Sequence, residues 1–312
     1  MEEGMNRVVA VVVTWRRERE LERLLASMAQ SSVPFQGCVV MDHAGTVPGE
    51  ISARFPFPIR RVQDLSNPGP GAGWANGARI AREVFGETDL LYLDDDVVLP
   101  PDALEILLRE KHGASAICPL LENDRGELWG FPEPVSKIDR RKIRQARTPA
   151  DALALLGPGP HPFCWATGAC LLVDAAAAGA RHRKDFWMLG EDLEFSMRLA
   201  GAGRGVFTCR VAIPHLPPEQ TDREAARKSD YRKFCSLLQN LSYLAFHSPH
   251  SRHLWWYLPG NFRRFFRTHG WGFSCLRDAA TCLLQGALFG HPAGTASGAA
   301  LRERMARREL RR

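Results

Sequence analysis

Three consecutive carboxylates, Asp94-Asp95-Asp96, end the apolar run Leu90-Leu91-Tyr92-Leu93 and are followed at once by Val97-Val98-Leu99-Pro100. Acids at the C-terminal end of a buried strand repel one another and are costly to desolvate. They call for a compensating cation, most simply a hard divalent metal with oxygen ligands. In an extended segment Asp94 and Asp96 fall on one side and can reach a single ion, whereas Asp95 faces another way. Further acids, Glu191, Asp192 and Glu194, stand in Phe186 to Leu199, a segment that reads as a helix opening on two adjacent carboxylates. A carboxylate there can take a proton from a hydroxyl nucleophile, although acids at a helix start also simply complement its dipole. His215, after the strand-like Gly205 to Ile213, would by itself be read as a loop or core histidine.

These residues need a scaffold, and the pattern around them predicts one. Arg7 to Trp15 is β-branched and apolar, the mark of a central strand covered on both faces. Leu21, Leu24, Leu25 and Met28 then recur at helical spacing, and Gly37 to Asp42 is a second buried strand ending in an acid; together they form a βαβ unit. Asn67 to Gly77 is a glycine-rich loop opening a helix that should turn Ala81, Val84 and Phe85 inward. It lacks the G-x-G-x-x-G spacing of a dinucleotide site, so its glycines serve either a ligand's approach or close helix packing. Further along, Leu104, Leu107 and Leu108 predict a helix, Ala114 to Leu121 a strand, and Gly126 to Phe131 a short hairpin arm. Thr148-Pro149-Ala150-Asp151 is a capped helix start, and Phe163 to Val173 reads as one buried strand with a bulge at Gly168. Open α/β sheets bind ligands at the C-terminal ends of their strands, where Asp42 and Asp94 fall.

The 312 residues, 45% hydrophobic and 24% charged, fit a globular α/β catalytic domain over 1–220 followed by a helical region over 221–312. The eight cysteines have no paired C-x-x-C spacing and read as reduced core residues of a cytoplasmic protein. Val8 to Val13 suits a strand better than a leader, and no stretch is long and apolar enough to span a bilayer. The net charge of +6 is uneven: from Arg252 onward eleven arginines face three acids, leaving the first 251 residues slightly acidic. Six basic residues between Lys137 and Arg147 read as a solvated face. His247, His250 and His253 are evenly spaced, but Pro249 interrupts any helix there.

Taken in order, Thr14, Asp42, the Asn67 to Gly77 loop, Asp94-Asp95-Asp96, Gly190-Glu191-Asp192-Leu193-Glu194 and His215 resemble the inverting glycosyltransferases of family 2, which have the GT-A fold. The likeness covers about the first 220 residues and is nearest to the rhamnosyl and galactofuranosyl transferase branch. It implies a Rossmann-like mixed sheet flanked by helices, with Mg²⁺ or Mn²⁺ on Asp94, Asp96 and His215. It also implies that Asp192 is the catalytic base with Glu191 beside it, and that Thr14, Asp42, Asn67, Asn76, Asp94, Asp95 and Glu194 line the donor and acceptor site. The expected donor is a UDP- or dTDP-sugar, and the acceptor a hydroxyl of a glycan, a lipid-linked sugar or a small molecule in cell-envelope synthesis. Asp42-His43 departs from the Asp-Asn or Asp-Asp usual in the family, which leaves the nucleobase open.

Other classes fit less. A nucleotidyltransferase should open with a glycine-rich phosphate loop after the first strand, where this chain has Thr14-Trp15-Arg16-Arg17. A nucleic-acid-binding protein would use the basic tail but leave the carboxylates unexplained, and a binding-only homologue would not need Asp94, Asp96, Asp192 and His215 together. The aromatics from Trp255 to Phe273, set among Arg263, Arg264 and Arg267, have two readings. One is the core of a small helical subdomain; the other is peripheral contact with the inner face of a membrane. A homo-oligomer has no motif of its own here.

Overall fold

A computed structural model describes residues 8–179, 182–184, 186–216, 223–247, 254 and 257–288. The chain opens with β1 (Val8–Thr14), α1 (Glu18–Met28), β2 (Gly37–Asp42), β3 (Ile59–Gln63), α2 (Pro70–Phe85) and β4 (Asp89–Asp94). Then come α3 (Ala103–Lys111), β5 (Ala116–Glu122), β6 (Glu133–Pro134), α4 (Lys137–Ile143) and α5 (Pro149–Leu156). β7 (His161–Trp165), β8 (Cys170–Val173), α6 (Glu191–Ala202) and β9 (Gly205–Pro214) complete the sheet region. Three helices follow: α7 (Arg223–His247), α8 (Tyr257–His269) and α9 (Phe273–Leu288).

Among the described residues one sheet carries nine strands in the order β3-β2-β1-β4-β8-β5-β9-β7-β6. The strands β3, β2, β1 and β4 are parallel, and β4 lies on the opposite side of β1 from β2, so the strand order reverses next to β1. That reversal opens the sheet at the C-terminal ends of β1 and β4, the place where a ligand finds a crevice in such folds. The β-branched residues of β1 are buried, apart from a partly exposed Val13, and two apolar layers cover its faces. One face meets Leu21, Leu24, Leu25 and Met28 of α1; the other meets Trp74, Ala78 and Ala81 of α2.

In α2 the buried stripe is Trp74, Ala78 and Ala81, with Phe85 packed against it. Val84, expected inward, falls on the flank of that stripe and is half exposed. The glycines of this helix serve close packing: a Cβ on Gly77 would lie 2.5 Å from Val11 Cγ1, and one on Gly73 2.7 Å from Val13 Cγ2. Of the two roles left open for the loop, helix packing accounts for these two positions.

The expected single strand from Phe163 to Val173 is two strands. β7 pairs antiparallel with β9, whereas β8 inserts antiparallel between β4 and β5. The break has a local cause, because the Ser196 hydroxyl accepts from Ala166 N and donates to Ala166 O, taking both backbone groups out of the ladder. The turn around Gly126 does return the chain antiparallel, with Leu128 bridging Glu122. α5 starts on a capping box of Thr148 and Asp151 with a proline in its first turn. The basic α4 is largely solvated, but Arg140 and Arg144 reach the buried Glu133. All eight cysteines are free, and all but Cys164 are buried.

The described chain divides into two compact units. One contains residues 8–68, Gly73–His182 and 195–216; the other contains Gly69–Ala72, Arg183–Glu194 and residues 223–288. In the second unit Tyr231, Phe234 and Leu238 of α7 pack on Phe265 and Phe266 of α8 and on Cys275, Ala279 and Cys282 of α9. The aromatics at 265 and 266 are therefore core, as one of the two readings of the tail required. Trp255, Trp256, His250, His253 and Arg302 to Arg312 lie outside the described residues, as does the expected boundary between residues 220 and 221.

Alanine forms helix better than glycine by about 1 kcal/mol, yet Gly77→Ala is expected to destabilise, because its methyl has no room against Val11. Overpacking of this kind costs about 1–3 kcal/mol. A melting temperature equal to or above wild type would show that α2 can shift away from the sheet.

Candidate metal and nucleotide site

Register puts the predicted residues side by side. Thr14 at the end of β1 is paired with Asp42 at the end of β2, and Val13 with Asp94 at the end of β4, so three neighbouring strands end on Thr14, Asp42 and Asp94. Beyond Asp94 the chain turns through Asp95 and Asp96, and Val97 forms an antiparallel bridge with His215. Leu216 N donates to Asp96 O at 2.7 Å and Val98 N to Pro214 O at 2.9 Å, which ties the acid turn to the end of β9. Backbone pairing thus brings together residues more than a hundred positions apart. One ligand atom each from Asp94, Asp96 and His215 lies within 4.8 Å of the others.

The donor set fits a divalent cation. Two carboxylates and one imidazole at this spacing, with Asp96 and His215 buried, match what Mg²⁺ or Mn²⁺ accepts and lack the thiolates a softer metal would take. His215 Nε2 stands 3.1 Å from Asp96 Oδ1, and the Trp129 ring stacks on the imidazole with centroids 3.8 Å apart and planes 7° from parallel. Trp129 holds the ring plane, a role the sequence reading did not assign; its place in the arm returning beside β5 was the available signal.

Arg17 was missed as well. Its Nη1 donates to Asp95 Oδ1 at 2.9 Å and to Asp96 Oδ2 at 2.6 Å, so a guanidinium already meets part of the charge for which an external cation was expected. After Thr14 the backbone turns with Arg16 in the left-handed region, at φ 56°, and Arg17 stands at the N-terminus of α1. Asp96 therefore offers one oxygen to Arg17 and the other toward His215. Burial would raise the Asp96 carboxyl, but the His215 ring and Arg17 hold it below the usual carboxylate range. Asp95 faces Arg17, and burial pushes its carboxyl up to about 6 against the pull of that guanidinium.

Asp42 is fully buried, and both its oxygens are in use. Oδ1 accepts from the backbone N–H groups of Ala44, Gly45 and Thr46; Oδ2 accepts from Val47 N and from Arg61. Burial alone would raise this carboxyl, but Arg61 and the backbone donors bring it below its ordinary value. Its place is that of a turn former, shaping the loop from Ala44 to Val47 at the sheet's edge. Thr14 is buried at the end of β1; Asn67 is half-buried with φ 45°, and Asn76 is half-buried in α2.

The remaining predicted acids belong to the second unit. Glu191 and Glu194 are buried and Asp192 is half-buried in the first turn of α6. Asp192 Oδ1 accepts from Leu193 N. The approach to this turn is constrained: Leu189 and Gly190 have φ of 61° and 98°. Two side chains of α7 pin it, Asn240 donating to Met188 O and Leu189 O, and Ser236 donating to Met188 O. A Cβ on Gly69 would lie 1.9 Å from Trp187 O, so that position accepts only glycine without a shift of the backbone.

No known sequence family profile matches the chain. A curated relative, the N-acetylglucosaminyl-diphospho-decaprenol L-rhamnosyltransferase of Mycobacterium tuberculosis, is 25% identical over 240 residues, covering 69% of this chain and 78% of the relative. Among solved structures, S. aureus TarS 1-349 in complex with UDP-GlcNAc superposes with TM-score 0.56 at 16% identity, covering 97% of this chain and 92% of that one. Mannosyltransferase PcManGT from Pyrobaculum calidifontis, in complex with GDP-Man and Mn²⁺, gives TM-score 0.53 at 16% identity over 97% and 87% of the two chains. The superpositions show the GT-A fold, and with the curated relative they make the chain a glycosyltransferase of that fold. Within that class, the resemblance to the family 2 enzymes of the rhamnosyltransferase branch is borne out by the mycobacterial relative.

The protonation of Asp95 gives a test of how its burial is compensated. An unfolded aspartate titrates near ~4, whereas Asp95 does so at about 6. Between those values the folded state binds more protons, so stability from this group is lost as pH rises through the folded value. In chelator at pH 7.5, Asp95→Asn should therefore melt higher than wild type, and the gap should close toward pH 5. A lower melting temperature at pH 7.5 would mean that the Arg17 pair outweighs burial.

Proposed function

We propose that the protein is a metal-dependent inverting glycosyltransferase that moves a sugar from a UDP- or dTDP-sugar to a hydroxyl of a lipid-linked acceptor in cell-envelope glycan synthesis. Rhamnose is the first candidate sugar and galactofuranose the second. The observation that carries this reading is the convergence of Asp94, Asp96 and His215 beside the end of β1, at the reversal of strand order. The mycobacterial relative, named for a rhamnosyl transfer and a decaprenyl-linked acceptor, supports both the sugar and the acceptor class. The Mn²⁺ in the mannosyltransferase structure supports the metal.

The chemistry then divides among the chain's own residues. Thr14 and the loop that Asp42 shapes receive the nucleobase and ribose, and Asp94, Asp96 and His215 are the residues that would hold the cation. When bound, that cation supplies Lewis-acid stabilisation of the charge that grows on the leaving group. Asp95 and Arg17 fix the acid turn, and Arg17 adds a positive charge of its own. Asp192 takes the proton from the acceptor hydroxyl. That oxygen forms its bond to the anomeric carbon on the face opposite the diphosphate, the carbon–oxygen bond to the diphosphate breaks, and the configuration inverts. Glu191 and Glu194 line the acceptor or sugar side.

Calorimetry with UDP and dTDP, with Mn²⁺ or in excess chelator, tests the metal reading. Affinity should require the metal, and Asp96→Ala, having lost a ligand, should bind as weakly with Mn²⁺ as without it. Equal affinity in chelator would sink the assignment.

For the base, Asp192→Asn keeps the size but cannot accept the proton. Turnover should fall by on the order of a hundredfold or more with nucleotide affinity little changed. Turnover within a few-fold of wild type would move the base to Glu191 or Glu194.

A further inference from the structure

The helix α9 has an apolar side turned to solvent. Phe273, Leu276, Ala280 and Leu284 are all exposed and recur at helical spacing, on the side away from Cys275, Ala279 and Cys282, which pack in the core of the second unit. Phe273 is 82% exposed, Leu284 56% and Leu276 46%, and among the described residues nothing covers them. Trp271, 71% exposed, stands in the turn just before the helix and stacks on Phe266 with ring centroids 4.4 Å apart. Scattered exposed apolar residues are ordinary; a contiguous row of them on one helix face marks an interaction site.

Charge decides between partners. From Tyr257 to Leu288 the cations Arg263, Arg264, Arg267 and Arg277 are exposed, and the single acid, Asp278, is buried and bonded to Tyr231 and Arg277. A protein interface mixes both signs of charge in its polar rim, whereas along the described residues of α8 and α9 every exposed charged side chain is a cation. Aromatic and aliphatic side chains on one helix face beside arginines are what an in-plane helix presents to anionic headgroups and the acyl chains beneath them.

We propose that the outward face of α9, with Trp271 and the arginines of α8, docks on the surface of an anionic lipid bilayer. The helix lies in the interface rather than across it; among the described residues no helix is long and apolar enough to span a membrane. The inference deepens the reading of a lipid-linked acceptor, but it is tested by binding alone and can fail while the sugar-transfer reading stands.

Flotation of the full chain with vesicles of phosphatidylcholine, and of phosphatidylcholine mixed with phosphatidylglycerol, tests it at low and high salt. Binding should need the anionic lipid and weaken with salt. Arg263→Gln with Arg267→Gln should lower the partition coefficient about twenty-five-fold, a factor of about five for each arginine. Phe273→Ser with Leu276→Ser, both at exposed positions, should lower it comparably without moving the melting temperature. Several results would overturn the proposal: no binding to anionic vesicles, binding untouched by the Phe273 and Leu276 changes, or binding lost only when Arg307 and Arg308 are changed. A concentration-dependent dimer that Leu276→Ser with Leu284→Ser abolishes would assign the face to a second copy of the chain instead. UDP or dTDP binding measured on the same variants should stay at the wild-type level, which separates failure of the docking surface from failure of the sugar-transfer reading.

Discussion

The arrangement of the acid turn follows from one electrostatic constraint. Asp95 and Asp96 are nearly excluded from water, each within hydrogen-bond reach of the same guanidinium nitrogen. Two buried carboxylates so close would each resist ionisation without a positive neighbour. Arg17 is that neighbour, and it comes from the turn after β1, so the strand next to β4 supplies the charge that lets β4 end as it does. A guanidinium suits the task better than an ammonium, since it is weakly hydrated and stays charged at any working pH. What it leaves uncompensated is the side of Asp96 that faces His215 and Asp94, where a divalent ion has a ready set of ligands.

Backbone pairing carries that constraint across the chain. The bridge between Val97 and His215 and the bond from Leu216 N to Asp96 O fix the backbone of His215 against the acid turn, and its Nε2 then meets Asp96 Oδ1. Trp129, from the arm after β5, then limits the ring's rotation by stacking. The three candidate ligands thus sit on strand ends held by a sheet, a rigid foundation of the kind that keeps a metal site in register.

How much of this was legible in the sequence follows from what each feature depends on. The parallel strands and the helices between them were readable because burial on both faces forces long apolar runs, and amphipathic helices repeat at their own period. Asp94, Asp96 and His215 were readable as a set because acids on a buried strand are costly and their order along the chain resembles a family. Arg17 was not, because its meaning lies in a left-handed turn at Arg16 that returns the side chain toward the acids. The break between β7 and β8 was hidden too: an apolar run with a glycine looks continuous until Ser196, some thirty residues on, takes both backbone groups of Ala166. In the tail, composition mixed core and surface aromatics; only the packing separates Phe265 and Phe266, which are buried, from Trp271 and Phe273, which are not.

The same separation of core from surface bears on the departure at Asp42-His43. Asp42 spends both oxygens on the loop from Ala44 to Val47 and on Arg61, so its carboxylate shapes the site's edge through the backbone. His43 is buried, and burial lowers its pKa, so it rests as a neutral ring under the sheet's edge. A Cβ on Gly73 would come within 2.9 Å of His43 Cε1, which places the imidazole against α2 at a point where only a glycine leaves room. A residue that elsewhere could be a polar contact to a base is here a packing residue, matched to a glycine thirty positions away. In the proposed donor site, discrimination among nucleobases would then fall to the backbone groups of the loop after His43 and to the side chains at the ends of β1 and β3, not to the charge of residue 43.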